Sequence, residues 1–78
     1  MLAPDVALDL IATARHRRVG ILGLDTFRIT DTSTEPLLEH IADYSSSPEA
    51  WDAADAFVRQ RANLGFVFEV VLDDGRAA

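Results

Sequence analysis

The 78-residue sequence predicts a small α+β fold of two layers. Three helices are expected on a two- to three-stranded sheet, in the order helix, one or two strands, helix, helix, strand. Three observations predict it. Two stretches, near residues 4–17 and 47–63, repeat apolar residues at helical spacing. Residues 66–72 alternate with period two, as a strand does. The chain is 49% apolar, too rich for intrinsic disorder, yet short enough for only one small core.

The first helix is expected from about Pro4 to Arg17. Proline suits a first turn, and Asp5 sits at the positive end of the helix dipole. Val6, Leu10, Ile11 and Ala14 make its apolar face. Arg15, His16, Arg17 and Arg18 crowd its last turn, where positive charge is favourable. Residues 19–30 read as strand, Gly20 and Gly23 suggesting a bulge or tight bend, and are divided into two short strands, 19–24 and 26–30, arranged as a hairpin. Asp31-Thr32-Ser33-Thr34 is a turn cluster.

A second helix is expected over Glu35–Tyr44, with Pro36 in its first turn and Leu37, Leu38, Ile41 and Ala42 as its stripe. Ser47-Pro48-Glu49 signals the start of a third helix: serine as cap, proline at the first helical position, an acid beside it. Trp51, Ala54, Phe57, Val58 and Ala62 space as its inward face, and Asn63 and Gly65 stop it. In the final strand Phe66, Phe68, Val70 and Leu72 share one face, and Val67, Glu69 and Val71 the other. Residues 72–78 are expected to fray at the end of a single domain spanning 1–78. The helices cover one sheet face only, so the face of Val67 and Val71 stands as a candidate dimer or partner surface.

Charge narrows the function classes. The net charge is −6 and every basic side chain other than histidine is arginine. Between Arg28 and Arg59 lie seven acids and no arginine: Asp31, Glu35, Glu39, Asp43, Glu49, Asp52 and Asp55. Such a balance argues against nucleic acid and anionic membranes, both of which need Lys and Arg, and for a basic protein partner. No cysteine is present, so neither disulfides nor thiolate metal sites arise. No apolar run reaches membrane-span length and no signal-peptide pattern opens the chain. A cytoplasmic protein without cofactor or metal is the expectation.

Catalysis finds little support. No Gly-x-Ser-x-Gly elbow surrounds Ser45, Ser46 or Ser47, and Gly20-x-x-Gly23 is not a phosphate loop. His40 and Asp43 would share a helix face, but no second ligand pair matches them. The chain is expected not to be an enzyme. On the predicted second helix Glu35, Glu39 and Asp43 recur at i, i+4, i+8 as one acidic stripe, and Glu49, Asp52 and Asp55 repeat the theme on the third. Tyr44 and Trp51 flank the corner between these helices. Glu35, Glu39, Asp43, Tyr44 and Asp52 are therefore the expected partner contacts, Trp51 having a bland role in the core. The basic run 15–18 is expected to form a salt link to the acidic helices or a dimer contact.

The runs Ala7-Leu8-Asp9-Leu10-Ile11 and Val19-Gly20-Ile21-Leu22-Gly23-Leu24-Asp25-Thr26-Phe27-Arg28-Ile29, followed by Glu35-Pro36, resemble bacterial immunity proteins of polymorphic toxin systems. The nearest likeness is to the group called immunity family forty, whose members carry a helix, an Ile-Leu-Gly-Gly-Asp-like strand end and a Glu-Pro after a turn. Leu24 stands here where that family has its second glycine. A later helix and a closing apolar strand are comparable with Ser47–Asn63 and Phe66–Leu72. A looser likeness is to barstar-like ribonuclease inhibitors. The resemblance implies an inhibitor of a partner toxin, often a nuclease; the acidic face of the second and third helices adds the expected mechanism, occlusion of a cationic groove. A self-associating domain, paired through Phe66–Leu72, is the alternative.

Overall fold

The computed structural model describes all 78 residues. Its elements follow as α1 (Pro4–His16), β1 (Ile21–Ile29), β2 (Thr34–Pro36), β3 (Ala42–Asp43), α2 (Trp51–Arg61) and β4 (Phe66–Leu72), with 3-10 turns at Leu38–His40 and Ala62–Leu64. The α+β class is as expected, but there are two α-helices rather than three, and four strands rather than two or three.

β1 is the centre of the sheet. β4 runs antiparallel along one of its edges, from Ile21 opposite Leu72 to Arg28 opposite Phe66. The other edge is shared by β2, opposite Phe27–Ile29, and β3, opposite Gly23 and Leu24. Residues 34–44 are therefore one interrupted strand lane, which corrects the expected second helix. The cause lies on β1. Its second edge would strand backbone groups without partners; instead the Leu37 amide donates to the Thr26 carbonyl at 2.9 Å and the Tyr44 amide to the Leu22 carbonyl at 2.8 Å. Pro36 has no amide to donate, and the lane breaks into a 3-10 turn just beyond it. The apolar residues of the segment consequently part company: Leu37 is buried, whereas Leu38 is 77% exposed.

Residues 19–30 do not turn at Asp25. β1 is a single strand with a register irregularity between Ile21 and Gly23. This extra residue switches the face that follows, so Ile21 and Leu24 both point into the core while Phe27 and Ile29 point outward. The bulge that the glycines suggest is present, and the hairpin is not. The close approach of other chain segments explains one nearby glycine. A Cβ on Gly20 would meet Pro48 Cβ and Asp73 Oδ2, each at 2.6 Å, where the Ile21 amide bonds the Pro48 carbonyl.

α1 and α2 lie side by side on one sheet face. Ala7, Ile11 and Ala14 from α1 and Trp51, Ala54 and Val58 from α2 enclose Ile21, Leu24, Phe68, Val70 and Leu72. Val6, expected in this face, is instead about half exposed, at 47%. α2 begins at Trp51, not at Pro48, because Pro48 is held against the start of β1. It ends at Arg61 and passes into the 3-10 turn, which Gly65 closes in the left-handed conformation at φ 75°, so the helical run stops near the expected Asn63 and Gly65. Residues 76–78 turn back along β4, with Leu72 bonding Arg76 and Val70 exchanging two bonds with Ala78. Leu2 exchanges two more with Phe68, so the outer edge of β4 is already occupied.

Candidate protein-docking face

The second face of the sheet carries no helix. Strand register sets its composition row by row. Gly23 lies between Val71 and Asp43, Asp25 opposite Glu69, and Phe27 between Val67 and Pro36. Two carboxylates thus stand directly across from one another, with apolar rows on both sides. Like charges in directly opposed positions oppose strand pairing. No cation relieves them. The arginines in ion pairs are spent elsewhere: Arg15 on Asp52, Arg28 on Glu35, Arg59 on Asp55 and Arg76 on Asp74. A shallow depression of about 350 Å³ at one end of this face brings Asp25 and Asp43 beside Leu22, Ile41 and Val71.

The Ser45 hydroxyl and then the Ser45 amide, which donates to Asp43 Oδ1 at 2.9 Å, hold the Asp43 carboxyl below the ordinary carboxylate value. Phe27, Val67 and Val71 are half-buried, and Ile29 and Ile41 are exposed. The face is therefore an apolar surface with an acidic centre and an acidic corner.

The sequence-predicted contacts do not assemble into one surface. Without a second helix there is no i, i+4, i+8 stripe. Glu35 is half-buried in β2 and bonds Arg28 across the strand pair at 3.4 Å. Glu39 is exposed in the 3-10 turn. Asp43 belongs to the open sheet face. Tyr44, its neighbour, points the other way and packs against the core, and the loss of hydration raises its phenol above the ordinary value. Asp52 lies in the helical layer, where it bonds Arg15 at 2.8 Å; the expected salt link from the basic run is this pair. Trp51 is buried and donates its indole N–H to the Val19 carbonyl at 2.8 Å.

His40 and Asp43 do not share a helix face. The His40 ring accepts a bond from Arg61 Nε at 3.2 Å on Nδ1 and packs on Phe66 with centroids 5.4 Å apart. No three His, Cys, Asp or Glu side chains gather as a metal site, and no helix is long and apolar enough to cross a membrane. Asp25 and Glu69 are not among the contacts expected from the sequence, because neither belongs to a helix-spaced acidic run. Their signal was parity: Glu69 alternates with Val67 and Val71, and Asp25 with Phe27 and Ile29.

Compared with protein-family models, with curated proteins and with solved structures, the chain matches none of them.

Proposed function

We propose that the protein is a binding module that inhibits a basic partner protein by covering its cationic site with the open sheet face. The observation that carries this reading is the unneutralised Asp25–Glu69 pair set in register between apolar rows. Alone, the pair is mildly unfavourable. Against a partner's Arg or Lys it becomes a steering and pairing element, and the flanking Phe27, Val67 and Val71 supply area to exclude water. The resemblance to immunity proteins supports a toxin as the class of partner. The acidic element is a sheet face rather than the helix expected from the sequence.

Self-association ranks second. Two copies meeting through this face would set carboxylates against carboxylates, and pairing through β4 would have to displace Leu2 and residues 76–78.

The test begins with low-salt capture from native lysate and proceeds to association kinetics with the purified partner. Asp25→Asn with Glu69→Gln should slow association about tenfold at low salt, an effect that added salt erases. Asp52→Asn, in the other layer, should change it little. An association rate insensitive to the first pair, or equally sensitive to Asp52→Asn, rejects the face. Recovery of the bait alone at dimer mass puts self-association first.

A further inference from the structure

The end of α1 is closed in a way that its sequence makes costly. The Arg18 amide donates to the Arg15 carbonyl at 3.2 Å and the Val19 amide to the Ala14 carbonyl at 2.9 Å. These are the two bonds of a Schellman closure, in which the residue after the cap adopts the left-handed conformation and is ordinarily glycine. Here it is Arg18, at φ 59°, the only non-glycine residue of the chain with positive φ. A side chain at such a position carries backbone strain that glycine would not.

What the strained residue provides is a guanidinium at a cavity. Between the end of α1 and the start of α2 lies an open cavity of about 480 Å³, within the size range of small-molecule sites. Ile11, Ala12 and Trp51 supply apolar wall, and Arg15, His16 and Arg18 supply the basic side. The one acid of the lining, Asp55, is held by Arg59 at 2.6 Å. Arg15 is committed to Asp52. Arg18 has no carboxylate partner; its guanidinium stands 6.0 Å from the centre of the Trp51 ring. An unpaired planar fork beside an apolar wall suits an oxyanion attached to an apolar body, because arginine binds carboxylate and phosphate in two-bond geometry.

We propose that this cavity is a binding site for a small organic oxyanion, with Arg18 holding the anionic group and Trp51, Ile11 and Ala12 the apolar body. The site lies in the helical layer and is independent of the docking face. It also gives a purpose to the basic run 15–18, only one of whose arginines enters an ion pair. Strain retained at a site where glycine would relax it is the mark of a side chain kept for what it contacts.

The single tryptophan makes the test direct, since the chain has one indole N–H resonance. Benzoate and phenyl phosphate serve as probes, with benzyl alcohol and inorganic phosphate as controls for the apolar body and the anion alone. Benzoate, phenyl phosphate or both should shift the Trp51 resonance saturably, and the one that binds tighter identifies the oxyanion. Benzyl alcohol should bind at least tenfold more weakly. Arg18→Gly should weaken binding at least tenfold while raising the folding equilibrium constant about fivefold, as relief of a left-handed side chain predicts. Arg17→Ala removes the same charge next door and should leave binding within a factor of about two, as expected of a charge that only adds to the field. No saturable shift with either probe, binding unchanged in Arg18→Gly, or equal loss in Arg17→Ala each overturns the site.

Discussion

Thr26→Val should make the protein more stable. Thr26 Oγ1 is the one buried side-chain polar atom without a hydrogen-bond partner, on a residue only 1% exposed. The Thr26 carbonyl is bonded to the Leu37 amide, and the backbone of Phe68, its partner in register, is bonded to Leu2. A buried hydroxyl without a bond costs about 1–3 kcal/mol. Valine has the same branched shape and the same stiffness at χ1, so it removes this cost without opening a cavity or changing the strand's preference. The expected gain is about 1–2 kcal/mol. In a domain of this length each kcal/mol corresponds to roughly 4–8 °C in melting temperature. Urea unfolding should show the midpoint rising at constant slope, since the surface exposed on unfolding barely changes. Thr26→Ser is the control: it keeps the hydroxyl, deletes a buried methyl and should lose about 1 kcal/mol. A valine variant no more stable than its parent would mean that the hydroxyl is bonded in solution, and the accounting would fail.

Two further outcomes follow from the packing. Tyr44 is the single tyrosine, so its ionisation can be followed by phenolate absorbance alone, and its midpoint should lie above the ordinary 10.0. Between the unfolded and folded values the unfolded chain has released the proton and the folded one has kept it. Stability should therefore fall as pH rises through and beyond 10, and Tyr44→Phe should remove that part of the decline. Gly20→Ala should destabilise by about 1–3 kcal/mol in thermal unfolding, because its Cβ has no room beside Pro48 and Asp73; a neutral result would show that these two segments separate freely.

The expected acidic stripe and the observed strand lane concern the same residues. Leu37, Leu38, Ile41 and Ala42 satisfy a helical period. Nothing local says that Leu37 will be buried and Leu38 exposed. That choice belongs to β1, whose second edge needs hydrogen-bond partners. The bulge had a similar effect at smaller scale. Alternation across residues 21–29 was visible, but one extra residue near Gly23 exchanged which side chains face the core. The basic end of α1 was legible as charge; its left-handed closure at Arg18 was not, because glycine is the residue that announces such a turn.

By itself the sequence determined the elements that carry their own period and punctuation: α1 with its proline start, α2 with its stop at Gly65, and β4 with its alternating faces. It also determined the acidic balance and the local pairing of Asp55 with Arg59 four residues on. Only the tertiary structure decided which carboxylates stand together. Asp25 and Glu69 are 44 residues apart in the chain and meet because two strands pair in one register. Asp43 and Asp52, nine residues apart, are sent to opposite layers. Spacing along a chain specifies a face only within one regular element; between elements, the burial of apolar side chains and the completion of backbone hydrogen bonds select the neighbours.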